Sequence, residues 1–308
     1  MPSHDTFGRV FRVLDTQQFQ ECLARWVEDL QLQLEGKTVA MDGKTVRGSH
    51  DNAAGQKPLH VVRAWGSQIN FCLGQISVDS KSNEIPAVQE LLEILNLKGA
   101  VVTGDAMHCQ RKTVQAVMDQ HANYLLQVKG NQSSLLESIV DEFDRHTEDN
   151  FSDRRVRQLS LTEKNRGRQE TRTCVVAPAP SALKSKWAGL KTIGMIHRTR
   201  RLADGTEQEE QSYFISSLEP RVREIATHLR DHWGIENGLH HTLDVTFGED
   251  QSRIRKGNGP EIISAFRRLA LSILKMDTTI KDNVRGKRMI AGWDLTKLEG
   301  ILLAFQAA

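Results

Sequence analysis

Long hydrophobic runs are missing from this chain of 308 residues. No stretch approaches the roughly 18 consecutive apolar residues that a membrane-crossing helix needs. The opening MPSHDTFGRVF has neither the apolar core nor the small-residue cleavage site of a secretory signal, so a cytoplasmic location is expected. Cysteine is scarce: Cys22, Cys72, Cys109 and Cys174 are scattered and form no CxxC pair. That argues against a zinc ribbon and against a disulfide framework, and leaves free thiols, mostly in the core. An excess of charge is missing too. With 41 Lys and Arg against 39 Asp and Glu, the formal net charge is +2, and bulk electrostatics does not announce a nucleic-acid partner. There is no internal repeat and no low-complexity tract. What remains, 39% hydrophobic and 26% charged residues, describes an ordinary globular chain with room for one large core or one domain carrying an insertion.

The pattern along the chain is readable. Residues 5 to 31 are expected to be helical: Asp15 can cap a segment whose Phe19, Cys22, Leu23, Trp26 and Leu30 recur on one face. Three strands follow, over 38–41, 59–65 and 69–78, the last two joined by a hairpin-like GSQ. The pattern then alternates: a helix over 85–95, a strand over 100–103, a helix over 111–121 and a strand over 124–128. Strand-helix alternation implies parallel pairing through crossovers. Residues 150 to 218 read as a basic β insertion. Helical patterning returns from Arg221 through Leu243 and from Pro260 to Leu274, where Ile262, Phe266, Leu269 and Ile273 form an apolar stripe.

Two of these strands run into an aspartate. KTVAMDGK carries Asp42 after the apolar run, and GAVVTGDAMH carries Asp105 after Val101 and Val102. A lone Asp-Gly is a strong turn signal, but the repetition favours function. A third carboxylate lies in RDHWGIENGLHHTLDVTFGEDQSRIR. On a regular helix His232, Glu236, His240 and Asp244 form one polar stripe and Ile235, Leu239 and Leu243 an apolar one. Three carboxylates without thiolates favour hard cations, Mg²⁺ or Mn²⁺. Zinc held by His232, Glu236 and His240 is the competing reading, but HxxxExxxH is not HExxH and leaves both aspartates unexplained. A merely solvated face is the other alternative.

The blocks VAMDGKTVRGS, VVTGDAMHCQ, YLLQVKGNQ and HWGIENGLHHTLDVTFGEDQSRIR resemble those of the ISAs1-type DDE transposases, which include the H-repeat-associated proteins within the wider IS4-like group. The resemblance spans almost the whole chain, in order. It implies an RNase H-like mixed α/β sheet flanked by helices, in which the first and fourth strands lie side by side. It also implies a β-rich insertion before the last catalytic helix and a short helical N-terminal segment. The corresponding division is 1–35 helical segment, 36–149 first part of the catalytic core, 150–218 basic insertion, and 219–308 C-terminal helical part of the core. On the resemblance Asp42, Asp105 and Glu236 are the catalytic, metal-holding DDE residues. The implied activity is DNA cleavage and strand transfer by two-metal phosphoryl transfer, with Mg²⁺ as cofactor. The alternatives are a domesticated DNA-binding remnant or a nuclease without transfer. The Tyr, Arg and Lys that flank the glutamate in the wider IS4 group are absent, their places taken by Leu229, His232 and Leu243. A further N-terminal helical segment usual in the family would precede this chain's first block.

The implied partner is double-stranded DNA, both transposon ends and target, with a homodimer as the expected assembly and the nucleoid as the place of action. Residues expected to meet DNA are Lys44 and Arg47 beside Asp42, and Lys129, Asn131 and Gln132 after a strand. Arg253, Arg255 and Lys256 could supply phosphate contacts behind the last block. Within the insertion, Arg154, Arg155, Arg157, Lys164, Arg166, Arg168, Arg172, Arg198, Arg200 and Arg201 concentrate positive charge that attracts a phosphate backbone, unless they form only a solvated β surface. Trp233 is expected in the core, with base stacking as the alternative.

Overall fold

The computed structural model describes residues 3–306 except 31, 52–54, 79–83, 149–152, 154, 166–167 and 203. In chain order the elements are α1 (His4–Val13), α2 (Thr16–Asp29), β1 (Thr38–Val46), β2 (Leu59–Gly66), β3 (Phe71–Val78), α3 (Glu84–Ile94), β4 (Val101–Gly104), α4 (Arg111–Asp119), β5 (Asn123–Val128) and α5 (Ser133–Glu148). Then come β6 (Arg157–Asn165), β7 (Arg168–Pro178), α6 (Ser181–Lys184), β8 (Thr192–Arg201), β9 (Glu207–Ser216) and α7 (Val222–His232). A π-helical segment, Ile235–His240, leads into α8 (His241–Phe247), followed by α9 (Gly259–Met276), α10 (Val284–Trp293) and α11 (Leu295–Gln306). The mixed α/β class and the β-β-β-α-β-α-β order of the RNase H-like fold are both present. Among the described residues no helix is long and apolar enough to cross a membrane. The chain forms two compact units, one of residues 1–96 and 233–308 and the other of residues 97–232.

In the first unit β1, β2 and β3 form an antiparallel meander, with Ala40 opposite Trp65, Asp42 opposite Arg63 and Trp65 opposite Cys72. Directly opposed residues share a face. Ala40, Trp65 and Cys72 accordingly pack beneath Ile235, Leu239, Leu243 and Leu271. The apolar stripe expected of Ile235, Leu239 and Leu243 is therefore the stripe that is buried, each such side chain contributing about 1.5–3 kcal/mol. The opposite face holds a buried polar chain: Thr45 Oγ1 lies 2.8 Å from His60 Nδ1, and His60 Nε2 lies 2.6 Å from Glu84 Oε1 at the start of α3. Asp15 caps α2 as expected, accepting from Gln18 N at 2.8 Å.

Two expectations for this unit need correction. β1 does not end at Asp42 but continues to Val46, because β2 offers partners as far as Leu59. Gly43 permits the continuation: a Cβ there would lie 2.5 Å from the Glu84 carboxyl. The stripe of α9 is the second. Ile262 is buried, whereas Phe266 is on the outer side, its ring centroid 5.4 Å from Phe11 and 5.2 Å from Phe19. The buried seam passes instead through Ala265, Arg268, Leu271 and Ser272, because α1 and α2 offer aromatic rings of their own to the outer face.

In the second unit β4 and β5 are parallel, and β9, β8, β7 and β6 follow in antiparallel register. The insertion strands are thus joined to β5 through β9, with Leu126 opposite Ile215. α7 packs Val222, Ile225, Ala226 and Leu229 against Val101, Leu125, Cys174, Val176 and Phe214. Cys72, Cys109 and Cys174 are buried free thiols and Cys22 is an exposed one. Burial pushes the thiols of Cys109 and Cys174 up to about 12, so they are inert at neutral pH.

The most consequential buried pair is Arg63 with Glu249, both side chains fully inaccessible. Arg63 Nη1 and Nη2 donate to the two carboxylate oxygens at 3.1 and 2.6 Å, and Ser264 Oγ lies 2.8 Å from Nη2. Removing one partner strands the other charge. We expect Glu249→Leu or Arg63→Met alone to lower stability by about 3–5 kcal/mol and the double replacement to recover most of the loss, as read by urea unfolding. Additive losses would show that the two groups do not act as a pair.

Candidate active site

In the first unit the candidate residues stand on one strand and one helix. Asp42 projects from the β1 face that lies beneath the π segment. Its Oδ1 accepts from Gly43 N at 2.9 Å, and His240 Nδ1 approaches Oδ2 at 3.5 Å. Two residues along β1, Lys44 ion-pairs with Asp244. The match is geometric. Two strand residues advance about 6.8 Å and four helical residues about 6 Å, so Asp42 and Lys44 meet His240 and Asp244 in step.

The helix expected to run unbroken from Arg221 to Leu243 is interrupted. α7 ends at His232, and the chain resumes as a π turn in which His241 N–H bonds to Glu236 O, five residues back. The wider turn breaks up the polar stripe. His240 is buried against Asp42, whereas Glu236 is exposed and its carboxylate has no partner among the described residues. π turns inside helices recur at functional sites. Trp233 is also corrected: it is 48% exposed, because Ile235 and Leu239 take the buried side. α8 ends in Gly248 at φ 62°, with Gly248 N bonded to Asp244 O and Glu249 N to Leu243 O. This left-handed cap turns Glu249 inward onto Arg63.

Electrostatics in this unit follows from that inward turn. Burial alone would raise the Glu249 carboxyl, but Arg63, Lys44 and Ser264 hold it below the ordinary range. Burial, with Arg63 and Lys44 adding their repulsion, holds His240 well below its usual value. His240 is thus neutral at neutral pH.

In the second unit Asp105 follows β4 and caps a short 3-10 turn, accepting from Met107 N at 3.1 Å. His108 Nε2 lies 3.7 Å away, and the carboxylate is half exposed. Two residues expected to touch DNA also hold this loop: Asn131 Nδ2 donates to Ala106 O at 2.7 Å and Gln132 Nε2 to Cys109 O at 3.1 Å. His232 Nδ1 lies 2.9 Å from Thr103 Oγ1. Burial chiefly, with His108, pushes His232 down to about 4 against the pull of Asp105. Within either unit, among the described residues, no three His, Cys, Asp or Glu gather into a group able to hold a metal ion.

The Arg47 side chain is 84% exposed, with Asp250 at 3.7 Å, and Arg255 Nε donates to Gly48 O at 3.3 Å. Lys129, Arg253 and Lys256 are exposed. Arg172 is ion-paired with Glu170. Arg168 lies in β7, and Arg154 and Arg166 fall outside the described residues. Sequence reasoning missed Arg63, Glu249 and Ser264. The one signal available was Gly248 directly before Glu249, marking a helix end that reverses the chain.

Residues 33–273 match the family described as Transposase DDE domain, and the chain belongs to that family. It is 34% identical over 308 residues to the "H repeat-associated putative transposase YhhI" of Escherichia coli strain K12, covering 98% of this chain and 81% of that protein. It is 36% identical over 307 residues to the "Putative transposase YncI" of Escherichia coli O157:H7, covering 98% and 78%. A piggyBac transposase synaptic complex with hairpin DNA gives a TM-score of 0.43 at 10% identity, over 82% of this chain and 49% of that one, so the chain spans about half that protein's length.

Three histidines, His228, His232 and His240, are held below the ordinary value by burial, which makes acid stability testable. A histidine held neutral when folded, but titrating near 6.5 when unfolded, contributes stability that is complete above about pH 6.5 and is lost as pH falls toward its folded value. For His232 the window is about 6.5 to about 4, and the loss accumulates to roughly 3 kcal/mol. Urea unfolding in EDTA between pH 7.5 and 4.5 should show His232→Gln losing stability less steeply, by nearly one proton, than the parent. Parallel curves would disprove the burial of a neutral imidazole.

Proposed function

We propose that the chain is an ISAs1-type transposase that cuts and joins double-stranded DNA, with Asp42, Asp105 and Glu236 as the carboxylates that hold Mg²⁺ or Mn²⁺. The observation that carries this reading is that the DDE-domain match, residues 33–273, includes all three. Its support from chemistry is the donor set. Asp42 is 28% exposed, Asp105 51% exposed, and Glu236 open to solvent. All offer oxygen only, which fits hard divalent cations rather than zinc. Such ions, when bound, activate an attacking water or 3′-hydroxyl and stabilise the leaving oxygen of a phosphodiester displacement.

The chain's own residues supply orientation. Gly43 N–H and the neutral His240 approach different oxygens of Asp42, which limits rotation of the carboxylate. Met107 N–H holds Asp105 Oδ1, and Asn131 and Gln132 clasp the backbone of the same loop. Lys44, paired with Asp244, keeps the helix in step with β1. Phosphate contacts fall to exposed cations, Arg47, Lys129, Arg253 and Lys256, which attract a backbone without reading its sequence. A homodimer acting at the nucleoid completes the proposal.

The test is incubation of the purified chain and Mg²⁺ with duplexes carrying the ends of its own genomic locus. Asp42→Asn, Asp105→Asn and Glu236→Gln should each reduce cleavage more than about a hundredfold, the scale of several kcal/mol of charge stabilisation. Duplex affinity in EDTA should stay within about threefold, because these carboxylates do not grip the backbone. Affinity and cleavage lost together would refute the assignment. Duplex binding by the parent without any cleavage would favour a DNA-binding remnant, and cleavage without joining a nuclease.

A further inference from the structure

Most ion pairs of the second unit join one cation to one anion: Arg230 with Glu163, Arg201 with Glu207, Lys191 with Glu219. The insertion sheet departs from that economy at Glu170. In the β7 and β8 register Glu170 lies opposite Arg200 and Arg172 opposite Arg198, so alternation puts all four on one face. The three guanidinium groups converge on the one carboxylate, with Arg172 Nε at 2.5 Å, Arg198 Nε at 3.4 Å and Arg200 Nε at 3.3 Å. Arg198 also reaches Glu210 at 3.2 Å. With Glu163, opposite Glu170 on the same face and paired with Arg230, the described residues of the cluster set four cations against three anions, which leaves one positive charge.

The arginines are oriented as well as concentrated. The Glu170 carboxylate is nearly inaccessible, whereas Arg172 and Arg200 are about one third exposed. Each of these two meets Glu170 through Nε, and among the described residues their terminal Nη groups have no hydrogen-bond partner. A phosphodiester carries one negative charge, which matches the surplus, and its oxygens suit the planar fork of a guanidinium. We propose that Arg172 and Arg200, steadied from beneath by Glu170, form a clamp for a phosphate group of a nucleic-acid backbone. The proposal rests on the reading that this chain binds DNA and adds to it a specific place on the insertion.

The experiment uses the full chain in EDTA, so that cleavage plays no part, and follows fluorescence anisotropy with a labelled duplex of unrelated sequence across a KCl series. Arg172→Gln/Arg200→Gln should weaken binding about tenfold, a loss of about 1.4 kcal/mol, and reduce the salt slope by about 1. Arg172→Lys/Arg200→Lys retains the charge and should keep the slope while binding less tightly, because the fork is gone. Glu170→Gln should steepen the slope. An unchanged slope in a cooperatively unfolding Gln double variant would overturn the clamp, leaving an internal salt-bridge cluster. Lys variants binding as tightly as the parent would overturn the fork geometry. Inorganic pyrophosphate gives an arm independent of DNA. It should raise the unfolding temperature of the parent and not of the Gln variant, even if the parent binds no duplex and the DNA reading itself fails. An equal rise in both would overturn the clamp.

Discussion

A guanidinium with no access to water has to find its counter-charge inside the protein, and the Arg63–Glu249 pair is where that requirement organises the first unit. Arg63 sits in the middle of the meander, opposite Asp42. Its partner lies just beyond α8, delivered by the left-handed turn at Gly248. Ser264 of α9 completes the arrangement. The pair therefore pins the end of one helix and the start of another to the strand next to Asp42. The same positive charge, with that of Lys44, helps keep His240 neutral beside Asp42.

Around this anchor the π turn has a local purpose. A regular helix would put Glu236 and His240 on the same stripe. With the turn widened by one residue, His240 is buried against Asp42 while Glu236 keeps its carboxylate in solvent. Lys44 and Asp244 hold the next step of the register, so that the helix cannot slide along the strand without breaking an ion pair that is largely shielded from water. Asp42 itself is contacted from β1, by Gly43 N–H, and from the π segment, by His240.

The insertion shows how misleading a count of basic residues can be. Its arginines are numerous, but among the described residues several are matched by carboxylates, as in Arg201 with Glu207, Arg198 with Glu210 and Arg155 with Asp153. Pairs of this kind contribute modestly to stability. They also cancel the long-range field that a bare basic stripe would project. What remains is local and geometric, the surplus around Glu170.

Much of this was open to inspection before any coordinates. Strand positions such as 59–65 and 124–128, the Asp15 cap, the buried stripe of Ile235, Leu239 and Leu243, and the free thiols follow from periodicity and side-chain chemistry, which act over a few residues and are written directly in the chain. The family was legible in four blocks surrounding Asp42, Asp105, Lys129 and Glu236. Other features were decided only by tertiary contact. β1 runs past Asp42 because β2 is there to pair with it. Asn131 and Gln132 serve the Asp105 loop because that loop's carbonyls come within reach. Phe266 faces outward because Phe11 and Phe19 cover it, and Arg63 finds Glu249 across 186 residues of sequence. Each of these depends on a partner distant in sequence, and the energy of burying a charge or pairing a strand exists only once that partner has arrived.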